Sequence, residues 1–116
     1  MELKRLFEYC LAKEGAYLDF PFGIVPAVIK INGRIFAEIY DREIKPQITL
    51  KCEPILASLL RQKYIGVVIP GYHVPNRNKH YWNTILLDNE MIREQELIEM
   101  INHSYTEVLK KMKGKK

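Results

Sequence analysis

The sequence contains only two cysteines, Cys10 and Cys52, and they form no CxxC pair. So few and so widely separated cysteines exclude a disulfide framework and the common zinc-binding patterns. No stretch approaches the roughly 20 apolar residues of a membrane span. The first residues also lack the uninterrupted apolar run of a signal peptide. We therefore expect reduced thiols, no insertion into a membrane and a cytoplasmic location.

The sequence also lacks the motifs that mark common catalytic sites. It has no GxSxG motif and no glycine-rich phosphate loop, and neither cysteine has an evident base. The spacings of His73, His80 and His103 match no established ligand pattern. We expect His103 to be a hydrogen-bonded structural residue. The sequence therefore predicts a protein that is not an enzyme and holds neither a metal nor a cofactor.

Positive charge is concentrated in two parts of the chain. The whole sequence has a formal net charge of +4 over 116 residues. Residues 51–83 have a net charge of +4, residues 84–109 have −5, and the five lysines after Leu109 add +5. A body polarised in this way indicates a localised anionic partner, whereas terminal lysines are typical of a solvated tail.

The length is enough for one domain with a hydrophobic core and too short for two. Apolar residues at helical spacing predict helices at residues 2–13, from Pro54 onwards and from about Arg93 onwards. Strand-like runs lie between these helices. The predicted order is α-βββ-α-ββ-α, which is an α+β domain with an antiparallel sheet packed against the N- and C-terminal helices.

The clearest local signal is Asn32-Gly33 between two strand-like runs, which predicts a hairpin with a type I′ turn. A two-residue turn would place Ile31 opposite Arg34, and Ile29 opposite Phe36. The next strand, at residues 47–52, alternates in polarity. This pattern predicts that Ile48, Leu50 and Cys52 face inwards and that Gln47, Thr49 and Lys51 face outwards.

A second feature is the irregular segment 70–83 between two apolar runs, where Pro70-Gly71 and Pro75-Asn76 are turn signals. It contains the single tryptophan, two histidines and the cations Arg77 and Lys79, with no acidic residue. Loops held by rigid elements often carry function. The pattern leaves open whether Trp82 is a core side chain or an exposed contact.

Several separated motifs together resemble the MmcQ/YjbR family of small bacterial proteins, and the resemblance covers nearly the whole chain in the same order. The matching segments are residues 19–23 (DFPFG), the hairpin 30–37, residues 50–52 (LKC), 70–73 (PGYH), 78–84 (NKHYWNT), 87–88 (LD) and 103–105 (HSY).

This resemblance implies an α+β fold related to the frataxin/CyaY-like architecture, with a double-wing arrangement associated with DNA binding. It implies a family domain over residues 1–112, followed by a lysine-rich tail at residues 113–116. The resemblance thus adds an expected activity, which composition and spacing do not supply.

Under this hypothesis the hairpin and the segment 70–83 are two wings that contact the phosphates of duplex DNA. Arg34, Lys51, Arg77 and Lys79 would neutralise phosphates, and His80 or Tyr81 would lie near base edges. Lys30 would extend the positive face beside Arg34 and Lys51.

Two other functions remain open from the sequence. The first is a protein- or peptide-interaction module that binds an acidic partner through the hairpin and the loop. The second is an enzyme or small-ligand binder with a pocket near Tyr72, His73 and Trp82. The sequence predicts no oligomeric state.

Overall fold

A computed structural model describes residues 1–42, 45–72 and 74–113, with side chains as far as Lys111. Within this part of the chain three helices, six strands and one 3-10 helix are present. The helices are α1 (Leu3–Leu11), α2 (Pro54–Lys63) and α3 (Glu94–Lys113), and the 3-10 helix is Asn76–Tyr81. The strands are β1 (Ala16–Asp19), β2 (Ala27–Ile31), β3 (Arg34–Tyr40), β4 (Gln47–Lys51), β5 (Val68–Pro70) and β6 (Trp82–Leu86).

The strands form one antiparallel sheet in the order β1-β2-β3-β4-β6-β5. This arrangement confirms the predicted α+β fold. The structure adds β1, which the sequence did not predict because its four residues, Ala16–Asp19, show no alternation of apolar and polar side chains. Gly15, at φ +79°, ends the turn between α1 and β1 in a conformation that favours glycine.

The hydrophobic core lies between the sheet and helices α1 and α3. The helices contribute Leu6 and Cys10 from α1 and Leu97, Ile101 and Val108 from α3. Each fully buried Leu, Ile or Val side chain stabilises the fold by about 1.5–3 kcal/mol relative to exposure. Helix α3 packs against the central strands β3 and β4, so it fixes the position of both.

A hydroxyl group joins α3 to these two strands. The Ser104 Oγ donates to the Phe36 carbonyl at 2.6 Å and accepts from the Lys51 backbone N–H at 2.9 Å. Because Ser104 is fully buried, no bulk water can replace either bond. This contact sets α3 against the start of β3 and the end of β4.

A β-bulge changes the predicted hairpin register. Ile31 pairs with Arg34, as predicted, but the register shifts between Ile29 and Lys30, so that Ile29 pairs with Ala37. The predicted pairing of Ile29 with Phe36 is therefore wrong. The extra residue of the bulge leaves Phe36 opposite no partner on β2, and its ring packs edge-on against Tyr105 of α3.

The predicted outward face of β4 is also buried, which corrects a second expectation. Gln47 is 5% exposed and Thr49 is fully buried. The reason is that the segment after β5 returns across this face. The Thr49 and Thr84 hydroxyls lie 2.7 Å apart, and the Tyr72 backbone N–H donates to Thr84 Oγ1 at 2.7 Å.

Among the described helices, none is long and apolar enough to span a membrane.

Candidate nucleic-acid interface

One end of the sheet brings together the two segments predicted as wings. The hairpin tip Asn32-Gly33 joins β2 to β3, and β4 ends at Lys51 near the start of β3. The 3-10 helix Asn76–Tyr81 leads directly into β6, whose first residue, Trp82, pairs with Lys51. We call this region the wing end and define it by the hairpin tip, Arg34, Lys51 and the 3-10 helix.

The hairpin tip has the predicted type I′ geometry. Asn32 has φ +52° and Gly33 has φ +81°, and a type I′ turn requires positive φ at both central residues. The Gly33 backbone N–H donates to the Tyr17 hydroxyl at 3.1 Å, which ties the tip to β1. Arg34 follows the turn and is half-buried, so the first wing is a supported turn that presents one cation.

The 3-10 helix is held to the rest of the domain through its own backbone. Arg61 of α2 donates from Nη1 to the Lys79 carbonyl at 3.2 Å. The Cys52 backbone N–H donates to the Tyr81 carbonyl at 2.9 Å. Within the segment, the Tyr81 hydroxyl donates to Asn78 Oδ1 at 2.8 Å. These contacts place the second wing in a defined position beside the end of β4.

The cations of the wing end form no salt bridge among the described residues, although the Glu107 carboxylate acts on the Lys51 charge. Arg77 is exposed and Lys79 is half-buried. None of the salt bridges within the described residues includes Arg34, Lys51, Arg77 or Lys79. Cations without partners are available to an external anion, and they repel one another when none is bound.

Lys51 is a half-buried cation of the wing end whose charge is affected by its surroundings. Burial lowers the pKa of its ammonium group, the positive charge of Lys111 lowers it further, and Arg34 adds a smaller effect in the same direction, against the opposite effect of Glu107. The Lys51 Nζ lies 5.5 Å from the centroid of the Tyr81 ring. The cations of β3, β4 and the end of α3 therefore act on one another, although they are far apart in sequence.

The aromatic side chains of the second wing differ in how free they are to bind. His80 is exposed and packs edge-on against the Tyr81 ring at 4.7 Å. Tyr81 is half-buried and its hydroxyl is already bonded to Asn78. Trp82 is half-buried and lies outside the hydrophobic core cluster. Of the three, His80 is the side chain best placed to approach a base edge.

The structure corrects the expectation that Lys30 extends the positive face. Lys30 Nζ lies 2.8 Å from Asp19 Oδ2, and this contact lowers the pKa of Asp19 and raises that of Lys30. Because the Asp19 carboxylate neutralises it, Lys30 offers no free charge to an anion. The reason could not be seen in the sequence, since Asp19 lies on the unpredicted strand β1.

Only part of the predicted pocket near Tyr72, His73 and Trp82 lies within the described residues. The Tyr72 ring packs edge-on against Tyr40 at 5.4 Å, and the peptide at Gly71 approaches the Trp82 side chain closely. His73 lies outside the described residues. The described part of this region is therefore filled by packing.

Sequence analysis missed three residues that build the wing end. Arg61 holds the 3-10 helix, Ser104 bonds the Lys51 backbone, and Lys111 acts on the Lys51 charge. In the sequence, Arg61 was visible only as part of the positive segment 51–83. Lys111 was visible only as part of the lysine-rich terminus. Ser104 lay within a matching motif, but its two bonds depend on the tertiary fold.

Other chemistries have little support in the described residues. His103 Nε2 accepts from the Glu53 backbone N–H at 3.0 Å, which confirms the expected structural role. In the described part of the chain no group of three or more His, Cys, Asp or Glu side chains is arranged to hold a metal. Burial raises the pKa of both free thiols to about 12, so neither is a thiolate at neutral pH.

Comparison with known proteins identifies relatives over most of the chain. A family profile described as YjbR matches residues 11–107. The protein YjbR of Escherichia coli K12 is 31% identical over 109 residues, which cover 94% of this chain and 88% of that protein. The protein YbdF of Escherichia coli O157:H7 is 37% identical over 92 residues, covering 79% of this chain and 71% of the relative.

Solved structures show the same fold. A Deinococcus radiodurans protein with a domain designated DUF419 superimposes with a TM-score of 0.84 at 28% identity, covering 93% of this chain and 78% of that one. A Pseudomonas syringae protein gives a TM-score of 0.73 at 27% identity, covering 90% of this chain and 96% of that one. None of these names states an activity, so a function has to be argued from the geometry of the site.

Proposed function

The chain belongs to the YjbR family, and we propose that it binds duplex DNA through the wing end and catalyses no reaction. The observation that carries the proposal is that Arg34, Lys51 and the 3-10 helix that bears Arg77 and Lys79 lie at one end of the sheet, and that these four cations form no salt bridge among the described residues. Bringing like charges together costs free energy, and a phosphate group would reverse the sign of that interaction.

The spacing of the wings also supports this proposal. β4 separates β3 from β6 in the sheet, and neighbouring strands lie about 4.8 Å apart. The strand that follows the hairpin tip and the strand that follows the 3-10 helix are therefore about 10 Å apart. Both wings can contact phosphates within one short stretch of duplex, whose major groove is about 12 Å wide.

The proposed contacts are of two kinds: contacts with phosphates, which position the protein on the duplex, and contacts with base edges, which recognise sequence. Arg34, Lys51, Arg77 and Lys79 contact phosphates, which sets affinity but carries no sequence information. The exposed ring of His80 is the candidate for contact with a base edge, and Tyr81 orients it. Binding by this set of residues would be strongly dependent on salt and weakly dependent on sequence.

The test is the salt dependence of binding to a fluorescent duplex, compared between the wild type and Arg77→Ala/Lys79→Ala. Each phosphate contact contributes about 0.9 to the slope of log K against log salt, so the double variant should flatten that slope by about 1.8 units. Between 50 and 200 mM salt, the affinity of the variant should fall about 12-fold less than that of the wild type. The effect should be the same on unrelated duplex sequences.

The matched control is Lys4→Ala/Arg93→Ala, which removes the same charge from exposed positions near the start of α1 and the start of α3. Its salt slope should equal that of the wild type. Equal slopes for wild type and Arg77→Ala/Lys79→Ala would refute the assignment of these residues. Equal flattening by both double variants would mean that net charge, and not the wing end, determines binding.

A protein-interaction role is the second candidate, because apolar side chains are exposed around the edge strand β1. Phe20, Phe22 and Ile24 are 49%, 63% and 86% exposed. Such exposed apolar surface often marks a protein contact. This candidate predicts a partner retained after nuclease treatment, lost with Phe22→Ser/Ile24→Ser and kept with Arg77→Ala/Lys79→Ala. The opposite pattern of retention would exclude this edge as the contact.

A further inference from the structure

A cleft of about 300 Å³ lies on the face of the sheet that is turned away from α1 and α3. Ala37 and Ile39 of β3 belong to the core beneath these helices, so Glu38 and Tyr40, which alternate with them, point to the opposite face. The cleft is lined by Phe22, Val25, Pro26, Glu38, Tyr40 and Arg42. Its volume lies at the lower end of the range of about 300 to 1,000 Å³ that is typical of small-ligand sites.

The carboxylate of Glu38 enters this cleft without a cation beside it. Glu38 is half-buried, and its neighbours on the adjacent strands, Val28 and Thr49, are fully buried and uncharged. It forms no salt bridge among the described residues. The Tyr40 hydroxyl donates to Glu38 Oε1 at 3.4 Å, which is longer than the usual O–H···O distance of about 2.5–3.0 Å. Burial therefore raises the pKa of this carboxyl group despite that bond.

The guanidinium group of Arg42 brings the opposite charge to the same cleft. Its Cζ lies 5.2 Å from the centroid of the Tyr40 ring and 5.8 Å from that of the Tyr72 ring, so two aromatic faces orient it. Arg42 also forms no salt bridge within the described part of the chain. The Tyr40 side chain contacts Glu38 through its hydroxyl and Arg42 through its ring, and it keeps the two charges apart.

Two opposite charges that line one cleft without pairing favour a ligand that carries both. An ammonium group would donate to the Glu38 carboxylate, and a carboxylate would accept from the Arg42 guanidinium. An ion of one sign fits less well, because one of the two side chains would repel it.

The remaining lining residues supply an apolar surface for the rest of the ligand. Phe22 is 63% exposed and Val25 is 38% exposed, and Pro26 lies beside them in the chain. Covering these side chains with an apolar group would remove their surface from water, which is favourable. The cleft therefore combines a carboxylate, a guanidinium and an apolar wall.

We infer that this cleft binds a small zwitterion of the free amino acid class, with its ammonium at Glu38, its carboxylate at Arg42 and an apolar side chain against Phe22 and Val25. Glu38 and Arg42 lie towards and beyond the end of β3, whereas Arg34 of the wing end lies at its start. The inference is therefore independent of DNA binding at the wing end.

The test compares L-leucine with N-acetyl-L-leucine, which has no ammonium group, and with L-leucinamide, which has no carboxylate. All three have the same apolar side chain. In NMR titrations of the intact protein, L-leucine should shift the Phe22 and Val25 amide signals saturably. It should bind at least about tenfold more tightly than either analogue, because each analogue loses one charge-assisted contact. A smaller preference over either analogue, or no saturable shift with L-leucine, would overturn the inference.

Two variants assign the charges. Glu38→Gln should abolish the preference over N-acetyl-L-leucine and keep the preference over L-leucinamide, and Arg42→Gln should do the reverse. Because Arg42 is exposed, its variant keeps the test decisive if Glu38→Gln fails to fold.

The matched controls are Glu90→Gln and Arg93→Gln, which remove the same charges from exposed positions outside the cleft. Both controls should keep both preferences. Unchanged preferences in Arg42→Gln, or the same losses in the controls, would show that the charges of the cleft do not hold the ligand.

Discussion

The bond from α3 to the central strands through Ser104 is the contact on which the position of Lys51 depends. Ser104 Oγ is bonded to the Phe36 carbonyl at 2.6 Å and to the Lys51 N–H at 2.9 Å, and the residue is fully buried. Ser104→Ala removes both bonds at once and changes the side-chain volume little. It therefore leaves one backbone donor and one backbone acceptor unpaired at the edge of the wing end.

The expected loss of stability follows from these two unpaired groups. Each buried backbone group left without a partner costs about 1–3 kcal/mol. Partial relaxation lowers the sum, and we expect a decrease of about 2–4 kcal/mol in the free energy of unfolding. An unfolding entropy of about 2.1 cal/mol/K per residue converts this to a decrease of about 8–16 °C in Tm for a chain of this length.

Urea unfolding, followed by circular dichroism, measures the decrease in the free energy of unfolding. Hydrogen exchange at the Lys51 amide shows whether the destabilisation is confined to this part of the sheet. The matched control is Ser58→Ala, because the Ser58 hydroxyl bonds only the exposed Gln62 side chain, at 3.2 Å, within the described part of the chain. That control should change stability by less than about 0.5 kcal/mol. If Ser104→Ala behaves like Ser58→Ala, Ser104 does not hold the strands as we have argued.

Three further predictions concern the loop, the thiols and a half-buried carboxyl group. A Cβ at Gly71 would lie 2.7 Å from Val74 Cγ2 and 2.9 Å from Trp82 Cβ, so Gly71→Ala should cost about 1–3 kcal/mol in urea unfolding. A cost below about 0.5 kcal/mol would show that the loop yields easily. Because burial raises the pKa of both thiols to about 12, neither should react with an aromatic disulfide reagent at pH 8 until urea is added. Rapid labelling of the native protein would contradict their burial. Burial also raises the pKa of Glu38 above its ordinary 4.5, against a bond from Tyr40 that lowers it. The stability associated with Glu38 is therefore present below pH 4.5 and lost as the pH rises through the raised value. Glu38→Gln should remove this pH dependence, and an unchanged profile of stability between pH 4 and pH 8 would contradict it.

Local patterns predicted the elements of this fold well, because their causes lie within a few residues. The Asn32-Gly33 turn needs positive φ at both residues, and few other dipeptides accept that conformation. Helix α3 begins at Glu94, one residue after the predicted start at about Arg93. The family resemblance agreed with the fold class that the order of elements predicted, and the profile match to residues 11–107 confirms the family.

Features that depend on distant contacts could not be predicted in the same way. The alternation of residues predicted that Thr49 faces outwards. It could not show that the segment after β5 covers this face of β4, because that contact forms only in the folded chain. The Thr49 hydroxyl meets Thr84, which is 35 residues away in sequence. The pairing of Lys30 with Asp19 likewise requires the sheet order. The bulge that displaces Phe36 leaves no clear sign in the local alternation of residues.

The central claim is that the folded body binds DNA at the wing end, and the lysine-rich terminus offers a competing explanation for any measured affinity. The most direct measurement is a titration of Lys113→Gln/Lys115→Gln/Lys116→Gln with a 20-base-pair duplex at 50 and 200 mM salt, followed by anisotropy. Our account predicts saturable binding that weakens with salt and has most of the wild-type affinity. Binding by the wild type together with none by this variant would contradict it, because the terminal lysines alone would then hold the DNA.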